Sequence, residues 1–170
     1  LKKEQGNVIA IIGDGSLGGG EALEGLNTAV ELDSNFIIIV NDNDMSIAEN
    51  HGGLYGNLKL LRDTDGKAEC NLFKAVGLDY VFVKNGNDID ELIKAFKLVK
   101  DSKKPVAVHI CTQKGMGYKP AQDDRETFHW TMPFDTKTGK PLVNFEGEDY
   151  GTLTADYLLE KMKKDEKIVA

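Results

Sequence analysis

Val8-Ile9-Ala10-Ile11-Ile12-Gly13-Asp14-Gly15-Ser16, read with Phe36-Ile37-Ile38-Ile39-Val40-Asn41-Asp42-Asn43, decides the fold. Each stretch is a short β-branched apolar run that stops in turn-forming residues, as a buried strand of a parallel sheet does. Between them Glu21 to Leu32 reads as a helix, so the segment is a strand, a glycine turn, a helix and a second strand. Such βαβ units collect ligands beyond the carboxyl ends of their strands, and Asp14 and Asn43 both fall there. The expected fold class is α/β, a mostly parallel sheet with βαβ crossovers flanked by helices.

Further along, Tyr80 to Val83 reads as a third strand and Pro105 to Cys111 as a fourth. Asp88 is placed to cap a helix from Ile89 to Lys100, in which Ile89, Leu92, Ile93, Phe96 and Val99 recur at helical spacing. Asn71 to Val76 forms a short helix, and residues 58–69 are partly helical. The loop from Asp42 to Asn57 is long, polar and rich in Asn and Gly, which marks it as functional. Thr112 to Tyr118 is another glycine-bearing loop at a strand's end, so three loops converge on one edge. Lys119 to Tyr150 carries three of the four prolines and reads as an extended linker. Leu153 to Met162 and Lys167 to Val169 read as the first helix and strand of a following domain. The expected division is thus 1–118, 119–150 and 151–170, with both ends cut from something longer.

The chain has 170 residues and a formal charge of −7, from 21 basic and 28 acidic side chains. The charges are interspersed, which suggests neither a nucleic-acid groove nor an anionic membrane surface. Small molecules or other proteins are the expected partners. Glycine is enriched, at 18 of 170 residues against about 7% on average, and its place in loops after strands suits backbone that approaches a ligand closely. Cys70 and Cys111 are far apart and are expected to be buried thiols in a reducing compartment. With no secretory signal and no apolar run of about 20 residues, a cytoplasmic location is expected.

Gly13 to Gly18 satisfies GxGxxG between a strand and a helix, so a nicotinamide or flavin dinucleotide is one reading, with Asp42 taking the ribose hydroxyls. Against it stands Asp14, a carboxylate beside the anion that a helix amino terminus attracts. Like charges about 4 Å apart repel by ~4 kcal/mol at an effective dielectric near 20. A divalent cation reverses that sign. Magnesium takes near-octahedral oxygen ligands, one or two of them carboxylates. Asp14 and Asn43 can supply two, the Met45 carbonyl a third, and a diphosphate the rest. In the plain alternative, Asp14 caps the following helix and Asn43 makes a turn.

Beyond that chemistry, Ile12 to Leu17, Glu21 to Asn27, Asn41 to Asn50, Lys114 to Ala121 and Phe128-His129 resemble, in this order, the transketolase-like thiamine diphosphate enzymes. The wider match is to their 1-deoxy-D-xylulose-5-phosphate synthase branch. The resemblance implies the thiamin diphosphate-binding fold, incomplete at both ends, with residues 1–118 as the diphosphate-binding core and residues 151–170 as the start of a pyrimidine-binding domain. It implies thiamine diphosphate and Mg2+ as cofactors, with Asp14, Asn43 and Met45 binding the metal. Gly15, Ser16 and Asn43 would approach the diphosphate, Tyr118 would lie beside the cofactor, and His129 would be the catalytic histidine. His109, in an apolar strand, reads as a core residue, and His51 as lining the site or facing solvent.

The implied reaction is a ketol transfer in which pyruvate and glyceraldehyde 3-phosphate give 1-deoxy-D-xylulose 5-phosphate and CO2. That product feeds isoprenoid, thiamine and pyridoxal synthesis. A transketolase acting on sugar phosphates is the nearby variant, a homodimer is the expected full-length assembly, and an interaction module without catalysis is a third class. The family's upstream histidines and its downstream glutamate, which activates the aminopyrimidine ring, are absent from this chain. These 170 residues alone are therefore expected not to turn over.

Overall fold

Four apolar runs become four parallel strands because each is flanked by helices that cover a face of the sheet. The computed structural model describes residues 6–143 and 147–169. In chain order they form β1 (Val8–Gly13), α1 (Asp14–Leu17), α2 (Gly20–Ala29), β2 (Phe36–Asp42), α3 (Gly53–Asp63), α4 (Leu72–Ala75) and β3 (Asp79–Val83). There follow α5 (Ile89–Val99), β4 (Val106–Cys111), α6 (Lys119–Asp123), a 3-10 turn (Thr127–His129) and α7 (Tyr150–Met162). The expected fold class is what the structure has: one sheet in the order β1-β2-β4-β3, parallel throughout.

Alternation along β2 sorts the core into two layers. Ile38 and Val40 pack with Leu17, Leu26, Leu58, Leu61 and Phe73 under α1 to α4. Ile37 and Ile39 pack with Val83, Ala95, Val99, Val106, Val108 and Ile110 under α5. The step from β3 back to β4 runs opposite to the earlier ones, so a right-handed crossover puts α5 on the other face. Each fully buried aliphatic or aromatic side chain stabilises the fold by about 1.5–3 kcal/mol.

Several expectations are corrected. β1 is not buried: Val8, Ile9 and Ile11 are 62%, 54% and 73% exposed. It is an edge strand with β2 as its one partner, and no described element covers Ile9 and Ile11. The expected loop 42–57 is shorter, because α3 already begins at Gly53 and buries Leu58 and Leu61. Three glycines, Gly52, Gly53 and Gly56, disguise that start, since glycine in a helix costs about 1 kcal/mol against alanine. α2 stops at Ala29 rather than Leu32. Helix α6 forms where extended chain was expected, its fixed-φ Pro120 sitting in the first turn. Asp88 caps α5 as anticipated, accepting from the Asp90 and Glu91 amides.

The chain divides into two compact units between Trp130 and Thr131. The second holds an Asp135 turn, a bridge from Phe134 to Pro141, and α7, capped by Asp149. No side chain of α7 is buried. Lys167 to Val169 is not a strand; the Ile168 amide turns back onto Asp165, and no described residue of this unit offers a strand to pair with. The thiols also differ from expectation: Cys70 is exposed, in the polar segment before α4, and Cys111 is half-buried. No described helix is long and apolar enough to cross a membrane.

Candidate functional site

Strand register brings the candidate residues to one edge. Gly13 pairs with Asn41, and Asn41 with Ile110, so the chain leaves β1, β2 and β4 side by side. A cavity of about 410 Å3 opens there. It is lined by Asp14, Gly15, Ser16, Asn43, Met45 and His129, all anticipated, and by Gly13, Ser46, Ile47 and Lys114. Tyr118 lies outside this lining; it starts α6 and stacks edge-to-face on Phe128, with ring centroids 5.7 Å apart. That contact steadies the turn that carries His129.

Asp14 is 2% exposed and is the first residue of α1. It caps neither helix, because the positions before α1 and α2 are Gly13 and Gly19, without side-chain caps. Its Oδ2 accepts one hydrogen bond, from Asn50 Nδ2 at 2.9 Å. Burial, with the Asp42 charge adding to it, pushes the Asp14 carboxyl above the usual range, and the Gly15 and Met45 backbone offsets this only in part. A bound dication would relieve that penalty. Asn43 Oδ1 is buried with no hydrogen-bond partner among the described residues, a deficit of about 1–3 kcal/mol. Asp14 and Asn43 both line this cavity, and a carboxylate with an amide oxygen is the hard-oxygen donor set that magnesium takes. The residues present therefore fit the metal.

The two loops touch closely. A Cβ on Gly15 would sit 2.0 Å from Ser46 Oγ and 3.2 Å from Ser46 Cα, so glycine lets the β1 and β2 loops close on each other without displacing Ser46. Tyr55 adds a hydrogen bond to the Gly15 carbonyl at 3.2 Å.

Across the cavity Lys114 donates to the Ser46 carbonyl at 2.6 Å and meets His129 Nδ1 at 2.9 Å. An ammonium can only donate, so Nδ1 accepts and a neutral His129 carries its proton on Nε2. Burial lowers the Lys114 pKa, while the Asp14 charge opposes that lowering. The site thus pairs an acidic side, Asp14 and Asn43, with a basic side, Lys114 and His129.

Asp42 does not serve a dinucleotide ribose. It is 0% exposed, with Arg62 Nη1 2.7 Å from each of its oxygens and His109 Nε2 2.8 Å from Oδ2. His109 is the expected core histidine, also 0% exposed, and His51 faces solvent. Sequence reasoning gave no role to Lys114, Asn50 or Arg62. Lys114 alone carried a signal, as a cation in a glycine loop after a strand.

A sequence profile described as 1-deoxy-D-xylulose-5-phosphate synthase matches residues 1–70 and 63–112. The chain is 42% identical over 180 residues to the 1-deoxy-D-xylulose-5-phosphate synthase of Listeria monocytogenes serotype 4b, covering 100% of this chain and 29% of that protein. For the enzyme of the same name from Desulfotalea psychrophila the identity is 35% over 206 residues, covering 100% of this chain and 32% of that one. The chain therefore spans about a third of the length of these curated relatives. Among solved structures, the transketolase of Campylobacter jejuni superposes with a TM-score of 0.55 at 25% identity, over 69% of this chain and 17% of that one. From sequence and fold together, the chain belongs to the 1-deoxy-D-xylulose-5-phosphate synthase family.

Proposed function

We propose that this chain is the magnesium- and diphosphate-holding part of a thiamine diphosphate-dependent transferase of the 1-deoxy-D-xylulose-5-phosphate synthase type. Its substrates in this reading are pyruvate and glyceraldehyde 3-phosphate. The observation that carries it is that one cavity is lined by both Asp14, whose side chain is buried, and Asn43, whose buried Oδ1 has no hydrogen-bond partner among the described residues. Asp14, Asn43 and the Met45 carbonyl would hold Mg2+, and Gly15 and Ser16 would meet the diphosphate. When bound, thiamine diphosphate supplies carbanion chemistry at its thiazolium ring.

The chain's own residues bind, orient and hold charge. Lys114 contributes a cation opposite Asp14, and through its bond to Nδ1 it keeps the His129 proton on Nε2. That proton is available for transfer or for a hydrogen bond to a substrate oxygen. Tyr118 is assigned a place beside the cofactor in the assembled protein. Residues 1–118 form the core in this proposal, 119–150 the linker and 151–170 the start of the pyrimidine-binding domain. A cytoplasmic homodimer goes with the same family reading.

The engaged Asp42 weighs against a dinucleotide. Calorimetric titration of thiamine diphosphate into the full chain tests the proposal. Binding that needs Mg2+ and disappears in Asp14→Ala supports it; binding that survives a chelator, or NAD binding in its place, overturns it.

A further inference from the structure

Asn43 has an acidic residue on each side, and both are tied to one guanidinium. Arg62, on α3, places Nη1 2.7 Å from both Asp42 oxygens, and its Nη2 reaches Asp44 Oδ1. Asp44 has a positive φ of 65°, a conformation costly for most residues other than glycine, and its amide donates to Asp42 Oδ1 at 3.1 Å. The backbone around Asn43 is thus held in an uncommon shape from both sides.

The same Asp42 is anchored from below. His109, from β4, meets Oδ2 at 2.8 Å through Nε2, and the Tyr80 hydroxyl, from β3, meets His109 Nδ1 at 2.8 Å. Both contacts are satisfied when Tyr80 donates to Nδ1 and Nε2–H donates to the carboxylate. Burial raises the Tyr80 pKa, keeping the phenol a donor. Burial alone would raise the Asp42 carboxyl, but His109 and Arg62 outweigh it and hold it below its usual range. Donor atoms of Asp42, His109 and Cys111 lie within 4.8 Å of one another, which resembles a metal cluster. Arg62 already occupies both Asp42 oxygens, and burial pushes the Cys111 thiol up to about 12, so that triad is closed to a cation.

A buried ion pair adds little net stability, because desolvation offsets the attraction. Its yield here is geometric. We infer that Arg62, Asp42, His109 and Tyr80 form a positioning relay that aims the Asn43 amide oxygen at the metal, making Arg62 a determinant of magnesium affinity without touching the ion. The inference rests on the proposed function. Lysine cannot replace Arg62, since a point charge cannot fork across two carboxylates on either side of a ligand.

The test is Mg2+ affinity, measured by titrating Mg2+ into the full chain at fixed thiamine diphosphate in a calorimeter, with melting temperature recorded for each variant. Arg62→Lys is expected to weaken Mg2+ binding about 10- to 100-fold, the range for residues that orient metal ligands. Excess Mg2+ should restore cofactor binding, which it would not do for a misfolded protein. A folded Arg62→Lys with wild-type Mg2+ affinity overturns the relay. Should Arg62→Lys fail to fold, Tyr80→Phe decides, since it removes one hydroxyl at the far end. Several-fold weaker Mg2+ binding supports the relay, and unchanged affinity overturns it. Wild-type binding that is lost in Asp14→Ala while Arg62→Lys behaves as wild type sinks the relay alone. A wild-type chain that binds no magnesium and thiamine diphosphate together sinks both readings.

Discussion

On one side of the cavity Asp14 is 2% exposed and Asn43 is flanked by carboxylates held on Arg62, whereas on the other His129 is exposed and is reached by the half-buried Lys114. The acidic side is fixed by the sheet before any ligand arrives. The basic side depends on one long side chain and a short turn. Preorganised donors need no ordering when a ligand binds, whereas adaptable side chains must first be ordered.

Removal of the Asp14 carboxylate breaks that contrast most severely. Taking one partner from a buried charge pair costs about 3–5 kcal/mol, so Asp14→Ala is expected to weaken Mg2+-dependent thiamine diphosphate binding by at least about 100-fold in calorimetry. Asn43→Ala comes next: a hydrogen bond or ligand contact to a charged group is worth about 1.5–3 kcal/mol, or roughly 10- to 100-fold. On the basic side, Lys114→Met should leave Mg2+ affinity within a few-fold. Its expected effect is on turnover of the full-length enzyme, which should fall by about 100-fold if His129 loses its tautomer partner, the lower end of the range for acid–base groups. Equal losses of Mg2+ affinity in Lys114→Met and Asp14→Ala would erase the distinction.

The smallest effect is on pH dependence. Because the Asp14 pKa is raised on folding, the metal-free native state binds that proton more tightly than the unfolded chain does. Its contribution to stability is therefore full below the ordinary carboxyl pKa and is lost as pH rises through the raised folded value. Magnesium replaces the proton, so the gain in melting temperature on adding Mg2+ should grow over the same rise in pH. Melting curves at stepped pH with and without Mg2+ check this; a gain independent of pH would contradict it.

Much of this was legible in the chain. The β-branched runs, the Asp88 cap and the helical spacing of Ile89 to Val99 are local signals, and the structure keeps them. Asp14 stood out because its charge conflicts with the glycine loop around it. What failed was what depends on neighbours. Ile9 and Ile11 look like core residues in sequence, and only the strand order reveals an edge. Arg62 gave no sign of its role, because its partners, Asp42 at the end of β2 and Asp44 in the loop after it, meet α3 only after folding. Asn50 was hidden for the same reason. Cys70 was read from the habits of its residue type, whereas the fold leaves it exposed just before α4.

The most direct measurement is a crystal structure of the full chain grown with thiamine diphosphate and Mn2+ in place of Mg2+, with the metal located by anomalous scattering. A peak bound by Asp14, the Asn43 amide oxygen and the Met45 carbonyl, and shared with the diphosphate, is the predicted result. A diphosphate seated without metal at Gly15 and Ser16, or a metal peak away from Asp14 and Asn43, would contradict it.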